Sequence, residues 1–362
     1  MRHSLETCLS RKRLRPLCRW LAVLAVGMPA TAVMSQERGD VKSGKGTTSS
    51  WSTKTTLAPK KAERQRQIPP LAQGRRALVP FNTAPFPYLG LVPATGKPFF
   101  EIQTEDRSGR RSRTGEVLWA DVTYSDSRVL LDLPAGFNAN RPGVLIVFLH
   151  GNGATLERDV IKRQEVPQQI AAAGLNSALV APQFASDAPD SSAGTFWEKG
   201  ALTAFLDEAA LNLARLLGDV RVKPMFDRMP VVLVAYSGGY HPLAYLLQHG
   251  GSGDRILGVA VLDGIYGDQK RFAEWIARNP RSFFVVAYGP SSQDGTAELA
   301  RLIAEQQVAV SIALGPELRD GVTLMQVPQT VVHNDFVTSA WIERPLRDLM
   351  RRVPGFPRQA KP

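Results

Sequence analysis

The spacing of apolar positions changes repeatedly along this chain, and each change marks an element. Val144–Leu149 is an unbroken apolar run between Gly143 and Gly151. A run of that length bounded by glycine predicts a strand buried on both faces. Apolar runs recur at 178–182, 231–234, 257–262 and 283–287, and a further strand is expected at 322–327. Between these runs the apolar residues adopt helical spacing. One such stretch runs to Ala173 and stops at Gly174, another spans 202–217 and stops at Gly218, and a third follows Gly239 and ends near Gly250. Glycine just past the last periodic residue is a helix stop. Shorter helices are expected at 272–277 and 297–306, and 341–350 is expected to close the chain as a helix. Strands alternating with helices predict an α/β protein with a mostly parallel central sheet and helices on both faces. Segments 117–124 and 128–133 predict an antiparallel pair at the sheet edge, with Pro134-Ala135-Gly136 as a turn. Residues 81–115 carry prolines and aromatics without a period and are expected to wrap the body. No internal repeat is visible.

The N-terminal segment follows a different pattern. Residues 1–32 hold Arg2, Arg11, Lys12, Arg13, Arg15 and Arg19 against Glu6, then the apolar run 20–28 and Ala30-Thr31-Ala32. A basic region, a short apolar region and a small-x-small site are the layout of a cleavable secretory signal peptide. The apolar run falls short of the roughly 20 residues that span a bilayer, so a membrane anchor is the lesser alternative. A periplasmic or secreted protein is therefore expected. Residues 33–78 are rich in Ser, Thr, Lys, Gln and Pro, show no apolar period, and read as a disordered basic linker. The folded domain is expected over 79–362.

Composition refines this division. Hydrophobic residues at 44% and charged residues at 21% exclude a wholly disordered chain of 362 residues. Both cysteines, Cys8 and Cys18, lie in the leader, so a disulfide framework or cysteine zinc site is excluded for the mature chain. The net charge of +11 is unevenly placed: +5 in residues 1–32 and +7 in 33–80, which leaves −1 for the rest. The body therefore gives no sign of a nucleic-acid cleft, whereas the linker could make weak contact with an anionic surface.

Candidate chemistry gathers at the ends of the buried strands. The run 231–234 turns through Ala235-Tyr236-Ser237-Gly238-Gly239 into a helix. A nucleophile on a tight strand-to-helix turn needs small residues two positions before and after it, here Ala235 and Gly239. The turn aims the Ser237 hydroxyl at a helix N-terminus, where free N–H groups favour developing negative charge. Two runs earlier, His150-Gly151-Asn152-Gly153 leaves a strand end as a glycine-rich loop. Its backbone, with Asn152 as the expected donor and Gly151 and Gly153 beside it, could join the Gly238 N–H in an oxyanion hole. His150 is read as structural. His333, in a loop after the last run, is placed as general base, because nucleophile, acid and base then follow in the order Ser, Asp, His. His241 is expected to point away and His249 to cap a helix end.

The strand–HGNG loop, the strand–AYSGGY–helix turn and the late loop histidine, in that order, resemble the α/β-hydrolase superfamily over residues 116–355. Ala235 in place of the first glycine is the departure. The resemblance implies a Ser–His–acid hydrolase, of the esterase, lipase, thioesterase or peptidase kind, that needs no cofactor. For the acid two residues compete. The superfamily more often uses a later loop, which favours Asp294. Asp263 ends a rigid buried strand, as an orienting carboxylate should, and is preferred. Asp268 is a distant third.

The long loop 183–198 leaves the sheet edge where ligands bind in such folds. Phe196 and Trp197, together with Tyr236, are candidate substrate-binding residues. Asp187 and Asp190 lack the spacing of a calcium site, and no Walker or dinucleotide motif is present. The expected activity is hydrolysis of an acyl bond, first an ester, in a small-molecule or polymer substrate, without metal or cofactor. Peptidase or acyltransferase chemistry on the same triad, and a non-catalytic binding protein on the same fold, are the alternatives.

Overall fold

The computed structural model of the protein describes residues 68–356 and 358. The expected leader, with both cysteines, and residues 33–67 of the expected linker lie outside the described residues. The first strand, β1 (Arg75–Pro80), begins before the expected domain boundary at 78/79, so that boundary is corrected towards the N-terminus. Leu71 is already buried, and its N–H bonds the Phe137 carbonyl at 2.9 Å. These contacts make 68–78 part of the folded body.

Three short strands follow: β2 (Ile102–Gln103), β3 (Ser108–Arg111) and β4 (Val117–Trp119). They form a small antiparallel sheet of their own. The expected pairing of 117–124 with 128–133 is therefore wrong. Residues 117–119 pair with Ser108–Arg111, and a short helix, Ala120–Thr123, turns the chain away. The edge partner of β5 (Arg128–Leu133) is β1, whose Ala77 and Leu78 face Leu131 and Leu130 in antiparallel register.

The remaining strands are β6 (Val144–Leu149), β7 (Ser177–Pro182), β8 (Val231–Tyr236), β9 (Ile256–Leu262), β10 (Phe283–Tyr288), β11 (Val310–Ser311) and β12 (Gly321–Gln326). With β1 and β5 they build a nine-stranded sheet in the order β1-β5-β7-β6-β8-β9-β10-β12-β11. The pairs β1–β5 and β5–β7 are antiparallel, and the pairs from β7 to β11 are parallel. Every residue of β6, β7 and β8 is buried, which is what an apolar run without polar alternation requires.

Alternate side chains of these strands enter two cores. Leu145, Val147 and Leu149 face one side, against Phe205, Leu213, Leu243 and Phe272 from the helices Ala201–Leu217, Tyr240–His249 and Gln269–Arg278. Val144, Ile146 and Phe148 face the other, against Val160, Ile170 and Leu349. The single helix expected up to Ala173 is two, Leu156–Arg163 and Val166–Ala172, broken at Glu165 with φ of 49° and restarted with Pro167 in its first turn. Proline fits there because a first-turn N–H has no helical partner to lose. The last helix spans Pro345–Arg351, shorter than expected and likewise opened by proline. The segment 81–115 covers the first core, with Phe81 on Phe205 and with Phe86 and Phe99 packed on Tyr124. Among the described residues no helix is long and apolar enough to cross a membrane.

After β6 the chain moves outward to β7, then returns across β6 to add β8 on the other side. The loops leaving β6 and β8 diverge at this reversal, which opens a crevice at the carboxyl ends of the strands.

Candidate active site

Three strand ends are level at that crevice. Leu149 pairs with Ala235, Tyr236 with Leu262, and Leu262 with Ala287. Ser237 and Asp263 therefore stand next to each other, one step beyond the last paired residues. Ser237 is half-buried, with φ of 51°, and a single helical turn, Ser237–Gly239, leads into the helix Tyr240–His249. Close packing explains the glycines. A Cβ on Gly239 would lie 2.4 Å from the Leu149 carbonyl oxygen, and one on Gly151 would lie 2.8 Å from the Ser237 Cβ. Ala235, fully buried in β8, takes the place of the first glycine without disturbing the turn.

His333 comes from the loop after β12, in the turn His333–Asp335. Its Nε2 lies 2.8 Å from the Ser237 Oγ and its Nδ1 lies 2.6 Å from the Asp263 Oδ2. Tyr236 fixes the imidazole from beneath: the rings stack at 5.2 Å, and the Tyr236 hydroxyl donates to the His333 carbonyl at 3.1 Å. Tyr236 is buried and occupied in this way, so its expected role in substrate binding is corrected to one of positioning.

Asp263 is fully buried. Burial pushes its pKa up, but hydrogen bonds from His333, from the Ser291 and Ser292 hydroxyls and from the Gly289 N–H (3.2 Å) outweigh it and hold the carboxyl below its ordinary value. The group is therefore an anion whose oxygens are all oriented. With Asp263 accepting from Nδ1–H, the Nε2 lone pair of His333 is free to accept from Ser237. Asp294 is exposed in the first turn of the helix Gln293–Glu305, where it favours the helix dipole rather than facing a histidine. Asp268 pairs with His241 Nδ1 at 2.6 Å and with Arg271.

The loop after β6 lies against the Ser237 turn. A Cβ on Gly238 would lie 2.0 Å from the Asn152 Oδ1 and 2.7 Å from the Ser191 Oγ. The Gly238 N–H, in the first turn of a helix, has no intrahelical partner. Among the described residues nothing accepts from the Gly151 or Asn152 N–H either. The Gly153 N–H is different, because it donates to the Ala188 carbonyl at 2.9 Å. Gly153 is thereby removed from the expected oxyanion donors. Its φ of 69° shows its actual use, which is to turn the loop.

His150 is buried beneath this loop. Its Nε2 accepts from the Phe184 N–H at 2.9 Å and its Nδ1 lies 2.8 Å from the Gly151 carbonyl, so it holds the loop against the following one. Burial pushes its pKa down to about 4. His249 does not cap its helix; its Nε2 bonds the Trp197 carbonyl at 2.7 Å. Phe196 is fully buried between Phe184 and Phe205, and so is a core residue rather than a pocket wall. Trp197 is packed on Tyr88 and Phe99 but borders a cleft beside the turn. Asp187 and Asp190 are engaged by Arg158 and by Tyr124 and Ser192.

Sequence reasoning missed Ser291, Ser292 and Tyr266. The first two were visible as hydroxyls directly after the strand that neighbours the Asp263 strand. Tyr266, whose hydroxyl lies 3.3 Å from His333 Nδ1, carried no such signal.

A reversal of strand order at β6/β8, a serine on the β8 turn and a histidine after the last long strand decide the architecture. The chain has the α/β-hydrolase fold. No protein-family model matches the sequence, and no curated protein does. Solved structures similar to this chain include a feruloyl esterase module from Clostridium thermocellum complexed with sinapinate, at 13% identity over 79% of this chain and 96% of that one, TM-score 0.43. A dienelactone hydrolase from Anabaena variabilis is 15% identical over 62% and 87%, TM-score 0.35. A poly(3-hydroxybutyrate) depolymerase from Bordetella parapertussis is 15% identical over 58% and 80%, TM-score 0.36.

Proposed function

We infer that the chain is a serine hydrolase of carboxylic esters that works through an acyl-enzyme. The observation that carries this reading is the relay from Ser237 Oγ to His333 Nε2 at 2.8 Å and from His333 Nδ1 to Asp263 at 2.6 Å, on a turn that strains the serine outward. Ser237 attacks the ester carbon, and His333 Nε2 takes its proton. Asp263 keeps the imidazole in the required tautomer and stabilises the imidazolium. The N–H groups of Gly238 and of Gly151 or Asn152 receive the oxyanion. Collapse expels the alcohol, which takes the proton from His333. Water then repeats the sequence on the acyl-enzyme and releases the acid.

The same reading makes residues 1–32 an export signal removed from the mature protein, and the basic linker a weak contact for anionic surfaces. N-terminal sequencing of the exported protein tests the first, and salt-dependent retention of the chain with and without residues 33–67 on an anionic resin tests the second.

The decisive experiment for the chemistry is labelling with a fluorophosphonate. The folded protein should be modified once, at Ser237, and Ser237→Ala should not be. A folded protein that resists the reagent, or a label that survives Ser237→Ala, removes the hydrolase reading. A series of aryl esters of graded acyl length then defines the acyl group.

A further inference from the structure

Beside the nucleophile turn lies a cleft of about 320 Å³. It begins at Asn152 and Ser191, the two side chains that crowd Gly238, and continues past Tyr240. Neither His333 nor its neighbours Tyr236, Tyr266 and Ser291 line it. Protonation of the leaving oxygen requires that oxygen to face His333 Nε2, so the alcohol part of an ester lies on the His333 side of Ser237. The cleft, on the Gly238 side, is left for the acyl part.

Two features define what this cleft accepts. Its walls include Val92, Pro189 and Trp197, apolar surface suited to a methylene chain, interleaved with Ser191, Ser192 and His241, the last already paired with Asp268. The end of β3 and the turn after it add Arg110, Arg111 and Arg113 to the lining. Arg110 is already committed: it bonds the Ser192 hydroxyl at 2.7 Å, lies 3.7 Å from Asp190 and stacks on Phe99. The one carboxylate in the lining, Asp190, is thus balanced. Arg111 gives one guanidinium N–H to the Gly115 carbonyl, and no carboxylate contacts its side chain; Glu101, which bonds its backbone N–H, does not line the cleft. Arg113 is exposed and has no hydrogen bond or ion pair with the described residues. Its charge reaches into the cleft nonetheless, since it opposes the rise that burial and Asp268 impose on the Tyr240 phenol. Two guanidinium groups without a carboxylate partner therefore line a cleft of mixed polar and apolar surface that opens beside the Ser237 turn.

We propose that the preferred substrates are esters whose acyl part ends in a carboxylate, that is, monoesters of aliphatic dicarboxylic acids, with the free carboxylate held by Arg111 and Arg113. This rests on the hydrolase reading and names its substrate class. A guanidinium pairs a carboxylate through parallel N–H donors, and the two arginines reach it from one turn of chain. The pairing is solvent-accessible, so salt weakens it.

The test compares monoethyl adipate with ethyl hexanoate on the full chain at low ionic strength, the two acyl chains being of equal length. The anionic ester should be favoured by about tenfold or more in kcat/KM, with the advantage in KM. Arg113→Gln and Arg111→Gln should each lower that ratio by about tenfold, Arg113→Lys should retain most of it, and added salt should compress it. Equal or better hydrolysis of the neutral ester by the wild type overturns the proposal, as does a ratio unchanged in the double glutamine variant. Calorimetry of adipate with Ser237→Ala separates the two readings. Adipate binding that the arginine substitutions abolish, without turnover of either ester, supports the cleft assignment and counts against the hydrolase. Labelling of Ser237 by fluorophosphonate with neither adipate binding nor ester preference leaves the hydrolase standing and ends the proposal.

Discussion

Ser237 and Asp263 occupy matching positions on adjacent parallel strands. Each directly follows one of the paired residues Tyr236 and Leu262, and each turns the chain with a positive φ, 51° for Ser237 and 42° for Asp263. The left-handed region costs an L-residue other than glycine about 1–2 kcal/mol, so both residues are held there by what surrounds them. At Ser237 this strain presents the hydroxyl to His333. Replacing the serine should reveal it. Ser237→Gly is expected to be more stable than Ser237→Ala by about 1 kcal/mol, after allowance for the greater freedom of glycine in the unfolded chain. Both should be inactive. Urea unfolding of the two variants measures the difference, and an alanine variant of equal or higher stability would show that the turn is unstrained.

The two candidate acids differ in what they touch. Asp263 holds His333 Nδ1, whereas Asp294 meets only solvent and a helix N-terminus. Asp263→Asn should leave a folded protein whose imidazole adopts the wrong tautomer, with kcat lowered on the order of 10³–10⁴. Asp294→Asn should retain activity and lose no more than about 1 kcal/mol of stability, the value of a charge in a first helical turn. Steady-state rates for the pair decide. Loss confined to Asp294→Asn would reverse the assignment.

The parallel strands and the strand-to-helix turn were legible because each follows from local chemistry. A fully apolar run such as Val144–Leu149 has few other places to go, and Ala235 and Gly239 flank Ser237 for a steric reason visible in any close turn. Asp263 was legible for a similar reason, since a lone carboxylate at the end of an apolar strand needs a partner. What was not legible depends on which side of a loop faces inward. Phe196 lies in the core because the helix Ala201–Leu217 brings Phe205 against it, and no spacing rule reports that contact. The donor role expected of Gly153 failed because its N–H had already been taken by Ala188, a residue far along the chain. The edge strand was misassigned because Arg75–Pro80 sits at the end of a polar, basic stretch whose composition concealed the pairing with Arg128–Leu133.

Two neighbouring glycines in the Ser237 turn should respond differently to the same change. In Gly239→Ala the new Cβ would meet the Leu149 carbonyl at 2.4 Å and its carbon at 2.9 Å, both backbone atoms of the central sheet. Those atoms cannot move alone, so a loss of about 3 kcal/mol or failure to accumulate is expected. In Gly238→Ala the Cβ meets the Asn152 Oδ1 and Ser191 Oγ, the ends of one exposed and one half-buried side chain that can rotate away. Stability should change by less than about 1 kcal/mol, while displacement of the loop that carries the Asn152 N–H should lower kcat by about 10². Unfolding and rate measurements on both variants test this. Equal effects on stability would mean that the two contacts are alike.

His150 should make the protein sensitive to mild acid in a defined window. The imidazole is fully enclosed, its Nε2 is occupied by the Phe184 N–H, and Asp159 and Asp126 only partly offset the burial that lowers its pKa to about 4. Below the ordinary value of 6.5 the unfolded chain takes up a proton that the folded chain refuses until about pH 4. Between those values the unfolded state binds more protons, so stability rises with pH and is fully present only above about 6.5. A depression of that size corresponds to about 3 kcal/mol lost as the pH falls through the window. His150→Gln can still accept from the Phe184 N–H but does not titrate. Its urea midpoint should start lower at pH 7, because the Gly151 contact is weakened, yet fall less steeply between pH 6.5 and 4 than that of the wild type. Parallel profiles for the two proteins would assign the acid sensitivity to other groups.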